Sequence, residues 1–188
     1  FSLQQHQKIP SLVSDGLTLW AFLFYAHGTV YKDPSQGIKG RREARQTMAE
    51  KADKHELYEE AVQHPEGEVD FVTKTFAKLR KRQPKTLRED FAGTSIFSLE
   101  WVKSQGQRQA WAIDLDAPTL EWGAQKRIKP AGHDYAQRIH QLNANVLDHD
   151  APRVDVGVAF NFSYWIFKTR DELREYFAYA RRGLKPEG

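Results

Sequence analysis

Four short segments in the second half of the chain concentrate side chains that can bind ligands. Carboxylates accept hydrogen bonds and attract cations, amides donate and accept, and aromatic rings stack on flat or apolar groups. A glycine lets the backbone approach a ligand without a Cβ atom in the way. The chemistry is therefore that of noncovalent ligand binding. In chain order the segments are REDFAGTS from Arg88, AIDLD from Ala112, NANVLD from Asn143 and FNFSYW from Phe160.

The elements that position these segments are predicted strands. From Lys85 onward, short β-forming runs alternate with helical stretches, which is typical of a parallel α/β sheet. In an open parallel sheet, ligands bind beyond the carboxyl ends of the strands, where all four segments would meet. The predicted strands are Thr86–Asp90, Ala110–Asp114, Ile139–Asn143 and Val154–Asn161.

Three helices are predicted between and after these strands, near Ser95–Ser104, near Pro118–Lys129 and after Thr169. Asp116 is placed to cap the second helix. Thr169 and Glu172 have the spacing of a capping box. The predicted buried face of the third helix comprises Leu173, Tyr176, Phe177, Ala180 and Leu184, and Gly183 and Pro186 end the helix.

The first part of the chain divides into an appendage over residues 1–40 and a helical region over residues 41–84. One helix is predicted from about Arg42 to Gln63, and HPEG, which starts at His64, breaks it. A second helix is predicted from about Glu68 to Arg82. Its buried stripe comprises Val69, Val72, Phe76 and Leu79, which recur at helical spacing.

The composition excludes several classes of protein. With 40% hydrophobic residues among 188, the chain is not disordered or collagen-like, and a net charge of +3 predicts neither a membrane nor a nucleic-acid partner. The absence of cysteine excludes a disulfide, a thiolate nucleophile and a cysteine-based metal site. No histidine pair has the HExxH spacing, so no metal is predicted. A chain without cysteine suits a reducing compartment, and a cytoplasmic location is predicted.

Two further features of the sequence have competing interpretations. The apolar run Leu17–Ala26 is too short to cross a bilayer, which takes about 20 helical residues. A buried helix or an exposed docking segment is favoured over the apolar part of a signal peptide. The basic clusters Lys78–Lys85 and Lys39–Arg45 are candidate phosphate contacts, but a solvated face is favoured.

Taken in order, the four segments resemble the class I S-adenosylmethionine-dependent methyltransferases. The resemblance covers about residues 85–188, and it includes the final RRGLKPEG, which is similar to the family's frequent LkPGG ending. It implies a Rossmann-like sheet in a three-layer αβα arrangement, with the preceding helices in the place of the family's N-terminal lid. It also implies an enzyme, a transferase whose cofactor is S-adenosylmethionine.

The resemblance implies roles for the acidic residues. Asp114 would accept the two ribose hydroxyls, and the alternative is that it only caps the following helix. Glu89 and Asp90 would lie near the cationic end of the cofactor, and the alternative is a salt bridge to Arg88 or Lys85. The full set of implied cofactor-binding residues is Glu89, Asp90, Phe91, Gly93, Asp114, Leu115, Asn145 and Val146.

The first and third segments depart from the family pattern. The family's loop has three glycines, but Phe91 and Ser95 stand at the first and third of these places, which leaves Gly93. Phe91 would then pack against the ligand in place of open backbone. In the third segment, Asn145 stands where the family often has an acid, and its amide oxygen can accept a bond from the adenine amino group. Val146 would offer its N–H to the ring. The alternative for Asn145 is an ordinary turn residue.

The fourth segment is similar to the Asn-Pro-Pro-Tyr signature of methyltransferases that act on amino groups, although Phe162 and Ser163 replace both prolines. Asn161 would end the fourth strand and accept a hydrogen bond from the target amine, and Tyr164 or Trp165 would stack on it. Asn161 and Tyr164 are therefore the predicted catalytic residues. The alternative is that these aromatic residues simply cover the end of the sheet.

The family's sheet has seven strands in the order 3-2-1-4-5-7-6, and only four are predicted here. The fourth would be an open apolar edge, which natural proteins normally cover. Three explanations are open: a truncated chain, cover by residues 1–40, or cover by a second chain. The last predicts self-association through this edge.

The predicted function is methyl transfer from S-adenosylmethionine to an unidentified acceptor, a small molecule or protein rather than a nucleic acid. One alternative is a non-catalytic interaction module on a degenerate fold, which the altered glycine loop favours. A nicotinamide-dependent oxidoreductase is a second alternative, which the missing GxGxxG disfavours. Tyr58 is placed to reach over the cofactor, although a core tyrosine is the favoured interpretation.

Overall fold

The computed structural model describes residue 47 and residues 51–188. The predicted appendage, the apolar run Leu17–Ala26 and the start of the predicted helix at Arg42 lie outside these residues. Within the described part, no helix is long and apolar enough to cross a membrane.

A parallel sheet of four strands forms the centre of the fold, in the order β3-β2-β1-β4. The predicted α/β class is confirmed, and β1 and β3 have the predicted bounds. The fourth strand is shorter than predicted, because it ends at Val158 and leaves Asn161 in the loop beyond. The strands are β1 (Thr86–Asp90), β2 (Gln109–Asp114), β3 (Ile139–Asn143) and β4 (Val156–Val158).

Among residues 52–85, which the structure describes, two helices precede the sheet, α1 (Lys54–Val62) and α2 (Pro65–Arg80). The prediction of one helix through residues 42–63 is wrong at Asp53, which has extended backbone and caps α1 by accepting a hydrogen bond from the His55 N–H at 2.8 Å. Helix α2 begins at Pro65 rather than Glu68, since proline suits the first turn of a helix.

Five further helices follow the strands. A π-helical turn, Ala124–Ile128, interrupts the helix predicted over residues 118–129, and a 3₁₀ turn, Ser163–Ile166, follows β4. The helices are α3 (Ile96–Ser104), α4 (Ala117–Gly123), α5 (Lys129–Ala131), α6 (His133–Ala136) and α7 (Arg170–Arg182).

The sheet has a buried cluster on each face, which gives the predicted three-layer arrangement. On one face Leu87 of β1 packs with Val72 of α2 and Phe97 of α3. On the other face Ile113 of β2 packs with Tyr176 of α7. At about 25 cal/mol per Å², burial of such side chains supplies most of the stability that holds the site loops in place.

Each predicted apolar helix face includes an exposed residue, and Leu184, predicted on the face of the last helix, lies beyond the end of α7. Leu79 is 69% exposed at the end of α2, and Phe177 is 53% exposed on α7. The two residues match the helical period, but no described element covers that part of either helix. The capping box of Thr169 and Glu172 is confirmed. Gly183 ends α7 with an ordinary φ of −77°, and an added Cβ would lie 1.9 Å from Nη1 of Arg88. Space for Arg88, rather than a left-handed cap, is what calls for glycine there.

Candidate functional site

The loop after β1 adopts the left-handed backbone at all three places where the family has glycine. Phe91 has a φ of 61°, Gly93 of 53° and Ser95 of 61°. Left-handed backbone costs a residue with a Cβ roughly 1–2 kcal/mol, so surrounding contacts must hold the loop. They include the Ala92 N–H, which donates to the Ile113 carbonyl at 2.9 Å. The loop therefore holds two residues that carry a Cβ, Phe91 and Ser95, in left-handed backbone.

Asp114 joins this loop to the loop after β2. Its Oδ2 accepts a hydrogen bond from the Gly93 N–H at 2.7 Å, and its Oδ1 accepts one from the Asp116 N–H at 2.9 Å. Asp116 caps α4 as predicted, through Thr119, so Asp114 is not the helix cap. The carboxylate is half-buried and has acceptor capacity left for a ligand. Its contact with ribose hydroxyls stays a prediction.

Next to Asp114, Leu115 presents an apolar side chain that is 67% exposed. Its carbonyl accepts a hydrogen bond from Nδ2 of Asn143 at 2.9 Å, and the same amide group donates to the Asp114 carbonyl at 3.1 Å. Asn143 thus fixes the backbone that carries both residues. From the sequence, Asn143 was predicted only as the end of a strand and the first residue of the NANVLD segment, with no role of its own.

The acidic pair at the end of β1 lies inside the protein. Successive residues of a strand point to opposite faces, so Glu89 and Asp90 cannot face one ligand together. Glu89 accepts hydrogen bonds from the N–H and hydroxyl of Ser98, and burial raises its pKa to about 8. At neutral pH it is mostly uncharged, so it offers little negative charge to a cation. Its contact with the cofactor stays a prediction.

Asp90 shows the alternative interaction, the ion pair with Arg88. Its Oδ1 lies 2.8 Å from Nε of Arg88, and its Oδ2 accepts a bond from the Tyr176 hydroxyl at 2.9 Å. Burial raises the pKa of Asp90 even though Arg88 acts to lower it. Phe91 packs toward the same helix, with its ring centroid 5.8 Å from that of Tyr176. The ligand contacts predicted for both residues stay predictions.

In the third loop, Asn145 has the geometry of a turn residue. Its Oδ1 accepts a hydrogen bond from the Leu147 N–H at 2.9 Å, and its carbonyl accepts one from Asp148. The side chain of Val146 is buried in the cluster beneath α7. The amide oxygen of Asn145 retains a second lone pair, so its contact with adenine stays a prediction, as does that of the Val146 N–H.

The fourth loop presents aromatic side chains at the surface. Asn161 and Phe162 both have left-handed backbone, with φ of 54° and 57°. Phe162 and Trp165 are each 64% exposed, with ring centroids 5.0 Å apart. Tyr164 is half-buried and faces Phe177 at 6.2 Å. Strained residues of this kind cluster at functional sites, and the roles of Asn161 and Tyr164 stay predictions.

The contacts between α1 and the first loop were not predicted from the sequence. Glu59 of α1 accepts a hydrogen bond from the Thr94 hydroxyl at 2.5 Å and pairs with Nε of Arg127 at 2.8 Å. Gly123 of α4 packs directly against the backbone of Thr94. These partners are far apart in the sequence, and no local pattern pairs them. Tyr58 of α1 is 36% exposed, and its predicted reach over a cofactor stays a prediction.

Within the residues that the structure describes, no three histidine, aspartate or glutamate side chains are grouped as metal ligands would be.

No family model matches the sequence, and no curated protein matches it significantly. Solved structures do match. One is an S-adenosylmethionine-dependent methyltransferase from Clostridium acetobutylicum, 15% identical over 71% of this chain and 53% of that one, with a TM-score of 0.58. Another is the sugar N-methyltransferase KedS8 from Streptoalloteichus, which is 16% identical over 86% of this chain and 57% of that one, with a TM-score of 0.56.

A third match is the glycopeptide N-methyltransferase MtfA complexed with S-adenosylmethionine, 18% identical over 68% of this chain and 53% of that one, with a TM-score of 0.55. The chain thus spans about half the length of the structures it matches. At such low identity the likeness establishes a shared fold.

Proposed function

Since the described residues have the Rossmann-like fold of the class I methyltransferases, we propose that this chain binds S-adenosylmethionine and transfers its methyl group to an acceptor. The proposal places the cofactor at the carboxyl ends of β1, β2 and β3, beside the loops that carry Gly93, Asp114 and Val146. It places the acceptor beside Asn161. The matched structures support the cofactor, since MtfA was solved with it.

The observation that carries the proposal is the junction of Gly93 and Asp114. A carboxylate at the end of the second strand touches the glycine of the loop after the first, as a site for a ribose needs. The position of a Cβ at Gly93 is open, with the nearest side-chain atom 4.0 Å away, so the backbone there is accessible to a ligand. These residues fit the cofactor.

In the proposed reaction the cofactor supplies a sulfonium-bound methyl group. An acceptor's lone pair would take up that methyl group as the carbon–sulfur bond breaks, and the electron pair of the broken bond would stay on sulfur. The protein's part is to orient the reactants in line. Asp114 would accept hydrogen bonds from the ribose hydroxyls, Leu115 would contact the cofactor beside it, and Asn161 would accept a hydrogen bond from an acceptor amine. A proton released by the acceptor passes to solvent, so the scheme requires no general base from the protein.

A non-catalytic binding module is the second candidate. The buried contacts of Glu89 with Ser98 and of Asp90 with Arg88 favour this candidate, because both side chains already have partners inside the protein and are not available to a cationic ligand. A nicotinamide-dependent oxidoreductase is the third, and ligand selectivity separates it from the other two.

The test is calorimetric titration with S-adenosylhomocysteine, with NAD as the control ligand. We expect micromolar binding by the wild type and a loss of at least about tenfold in Asp114→Ala, which removes a charged acceptor worth about 1.5–3 kcal/mol. Asp70→Ala, which removes an exposed carboxylate from α2, should bind like the wild type. If the folded wild type binds neither ligand, the proposal is wrong for this chain. Binding of NAD alone would support the oxidoreductase.

We also propose that the chain self-associates through β4. Strand β4 stands at the edge of the sheet, and in its register with β1 the N–H groups of Val156 and Val158 face β1, so by alternation that of Gly157 points to the unpaired edge. A groove of about 290 Å³ lies along this edge, flanked by the exposed Phe71 and Leu79 of α2. Helix α2 is acidic in its first turn and basic in its last, so a twofold arrangement brings opposite charges together.

Light scattering tests the association. The wild type should show a mass near twice 21.7 kDa at micromolar concentration, and Leu79→Glu should shift it toward the monomer, because a carboxylate would have to be buried in the apolar groove. Leu57→Glu, at a comparably exposed position on α1, should leave the mass unchanged. A wild type that stays monomeric would refute the association.

A further inference from the structure

Glu59 is a buried carboxylate that joins α1 to two other parts of the fold. It is 7% exposed, and its two oxygens have different partners. Oε1 accepts a hydrogen bond from the Thr94 hydroxyl at 2.5 Å, and Oε2 accepts one from Nε of Arg127 at 2.8 Å. Thr94 lies between Gly93 and Ser95 in the loop after β1, and Arg127 lies in the π-helical turn after α4. One side chain on α1 therefore contacts the proposed cofactor loop directly.

The remaining described contacts between α1 and the core are also largely polar. Nε1 of Trp122 donates to Oδ2 of Asp53 at 2.7 Å, and the His55 ring lies 4.9 Å from the Trp122 ring. The Arg127 guanidinium lies over the same indole at 4.7 Å. By contrast Leu57, an apolar residue of α1, is 53% exposed. A helix with little apolar burial opens more readily than the core does, so α1 depends on these few polar contacts.

The Thr94 loop is constrained from both sides. Its neighbour Gly93 donates to Asp114, and the Thr94 carbonyl packs against Gly123. A change in the position of Thr94 therefore alters the backbone that the proposed cofactor would contact. Helix α1 is docked when Glu59 contacts Thr94 and Arg127, and in that state Glu59 stabilises the loop. Coupling between two sites is reciprocal, so a ligand that stabilises the loop must stabilise the docked state of α1 by the same free energy.

We propose that Glu59 is a positioning residue that couples docking of α1 to cofactor binding. It acts through Thr94, whose hydroxyl it holds, and through Arg127, which neutralises its charge inside the protein. This inference rests on the proposed function, because it assumes that the Thr94 loop receives S-adenosylmethionine. It assigns to α1 a role in binding affinity in addition to its place in the fold.

The experiment combines amide hydrogen exchange with titration by S-adenosylhomocysteine. In the wild type, ligand should slow exchange across residues 54–62 at least about fivefold. Glu59→Gln keeps the shape but gives up the charge and one acceptor, so affinity should fall at least about tenfold, as expected for a hydrogen bond to a charged group. Ligand should then no longer protect residues 54–62. Glu60→Gln, the exposed neighbouring position, is the matched control and should behave like the wild type.

Substitutions at Thr94 separate coupling from a general loss of structure. Thr94→Ser keeps the hydroxyl and should bind ligand within about twofold of the wild type. Thr94→Val removes the hydroxyl and should lose affinity, and adding Glu59→Gln to it should cost less than Glu59→Gln costs alone, because only the interaction with Arg127 is then left to lose. Equal affinity of Glu59→Gln and Glu60→Gln would overturn the proposal, and so would full additivity with Thr94→Val.

A measurement without ligand distinguishes this inference from the proposed function. Glu59→Gln should speed exchange at residues 92–96 as well as at residues 54–62, since the two segments are coupled through the same bond. If the wild type does not bind S-adenosylhomocysteine, the proposed function fails and this inference about cofactor coupling fails with it. If the wild type binds but exchange at residues 92–96 is unchanged in Glu59→Gln, only the coupling is wrong.

Discussion

Replacing Gly123 with alanine is expected to lower the free energy of unfolding by about 1–3 kcal/mol or more and to abolish micromolar binding of S-adenosylhomocysteine. Helix propensity alone predicts the opposite sign, because alanine is favoured over glycine inside a helix by about 1 kcal/mol. The packing around Gly123 decides between the two effects. An added Cβ would lie 2.0 Å from the carbonyl oxygen of Thr94 and 2.9 Å from its Cα.

The clash at Gly123 involves backbone, so no side-chain rotation relieves it. Either α4 moves away from the sheet or the loop around Thr94 moves, and that loop carries Gly93 and the left-handed Ser95. Because the loop is the proposed cofactor contact, we expect affinity to fall more than stability does. Urea unfolding and calorimetric titration of the same preparation measure the two losses separately.

Gly106→Ala is the matched control for this substitution. Gly106 has no atom within 4 Å of an added Cβ, and its backbone is not left-handed. Alanine there should leave binding intact and change stability by less than about 1 kcal/mol, in the stabilising direction if at all. If Gly123→Ala were as stable as Gly106→Ala and bound S-adenosylhomocysteine with unchanged affinity, the close approach of α4 to the loop would be needed neither for stability nor for binding.

The parts of the fold that follow from local signals were predicted well. Strands β1 and β3 have the predicted bounds because runs of β-forming residues end at polar turns there. The capping box at Thr169 was found because its two partners are three residues apart and their chemistry is fixed by type. Strand order followed from the resemblance and is confirmed for the four strands described.

The backbone of the first loop was beyond local prediction. Gly93 was expected to be the remaining glycine of a degenerate loop, yet Phe91 and Ser95 share its left-handed conformation. The contacts that impose it come from other elements, such as the Ile113 carbonyl on β2 and the Gln141 side chain on β3. A search for glycines cannot detect a loop whose shape is set by its surroundings.

The partners of the buried carboxylates were beyond local prediction for a similar reason. An acidic pair at the end of a strand suggests ligand contact, but Asp90 meets Tyr176, 86 positions later in the chain. Strand β4 was expected to reach Asn161, because β-forming residues continue beyond the point at which its pairing with β1 ends. Pairing depends on the neighbouring strand, so sequence periodicity overestimates the length of a strand at a sheet edge.

The second large effect is expected at the buried ion pair of Arg88 and Asp90. Asp90→Ala should lower the free energy of unfolding by about 3–5 kcal/mol, because it leaves the guanidinium of Arg88 buried without a counter-charge. Nη1 of Arg88 has no hydrogen-bond partner even in the intact pair, and alanine offers no acceptor in place of the Asp90 carboxylate. Asp70→Ala, which breaks an exposed pair with Lys74, should change stability by less than about 1 kcal/mol.

Removing all the polar groups of this cluster together should cost far less than removing Asp90 alone. Burial raises the pKa of Asp90 despite Arg88, so ionised Asp90 is less favourable in the folded protein than in the unfolded chain. Arg88→Met with Asp90→Leu and Tyr176→Phe therefore replaces a desolvated pair, and its hydroxyl donor, by apolar packing. Urea unfolding should place this triple variant above Asp90→Ala in stability. A triple variant as unstable as Asp90→Ala would mean that the pair contributes net stability which apolar packing cannot replace.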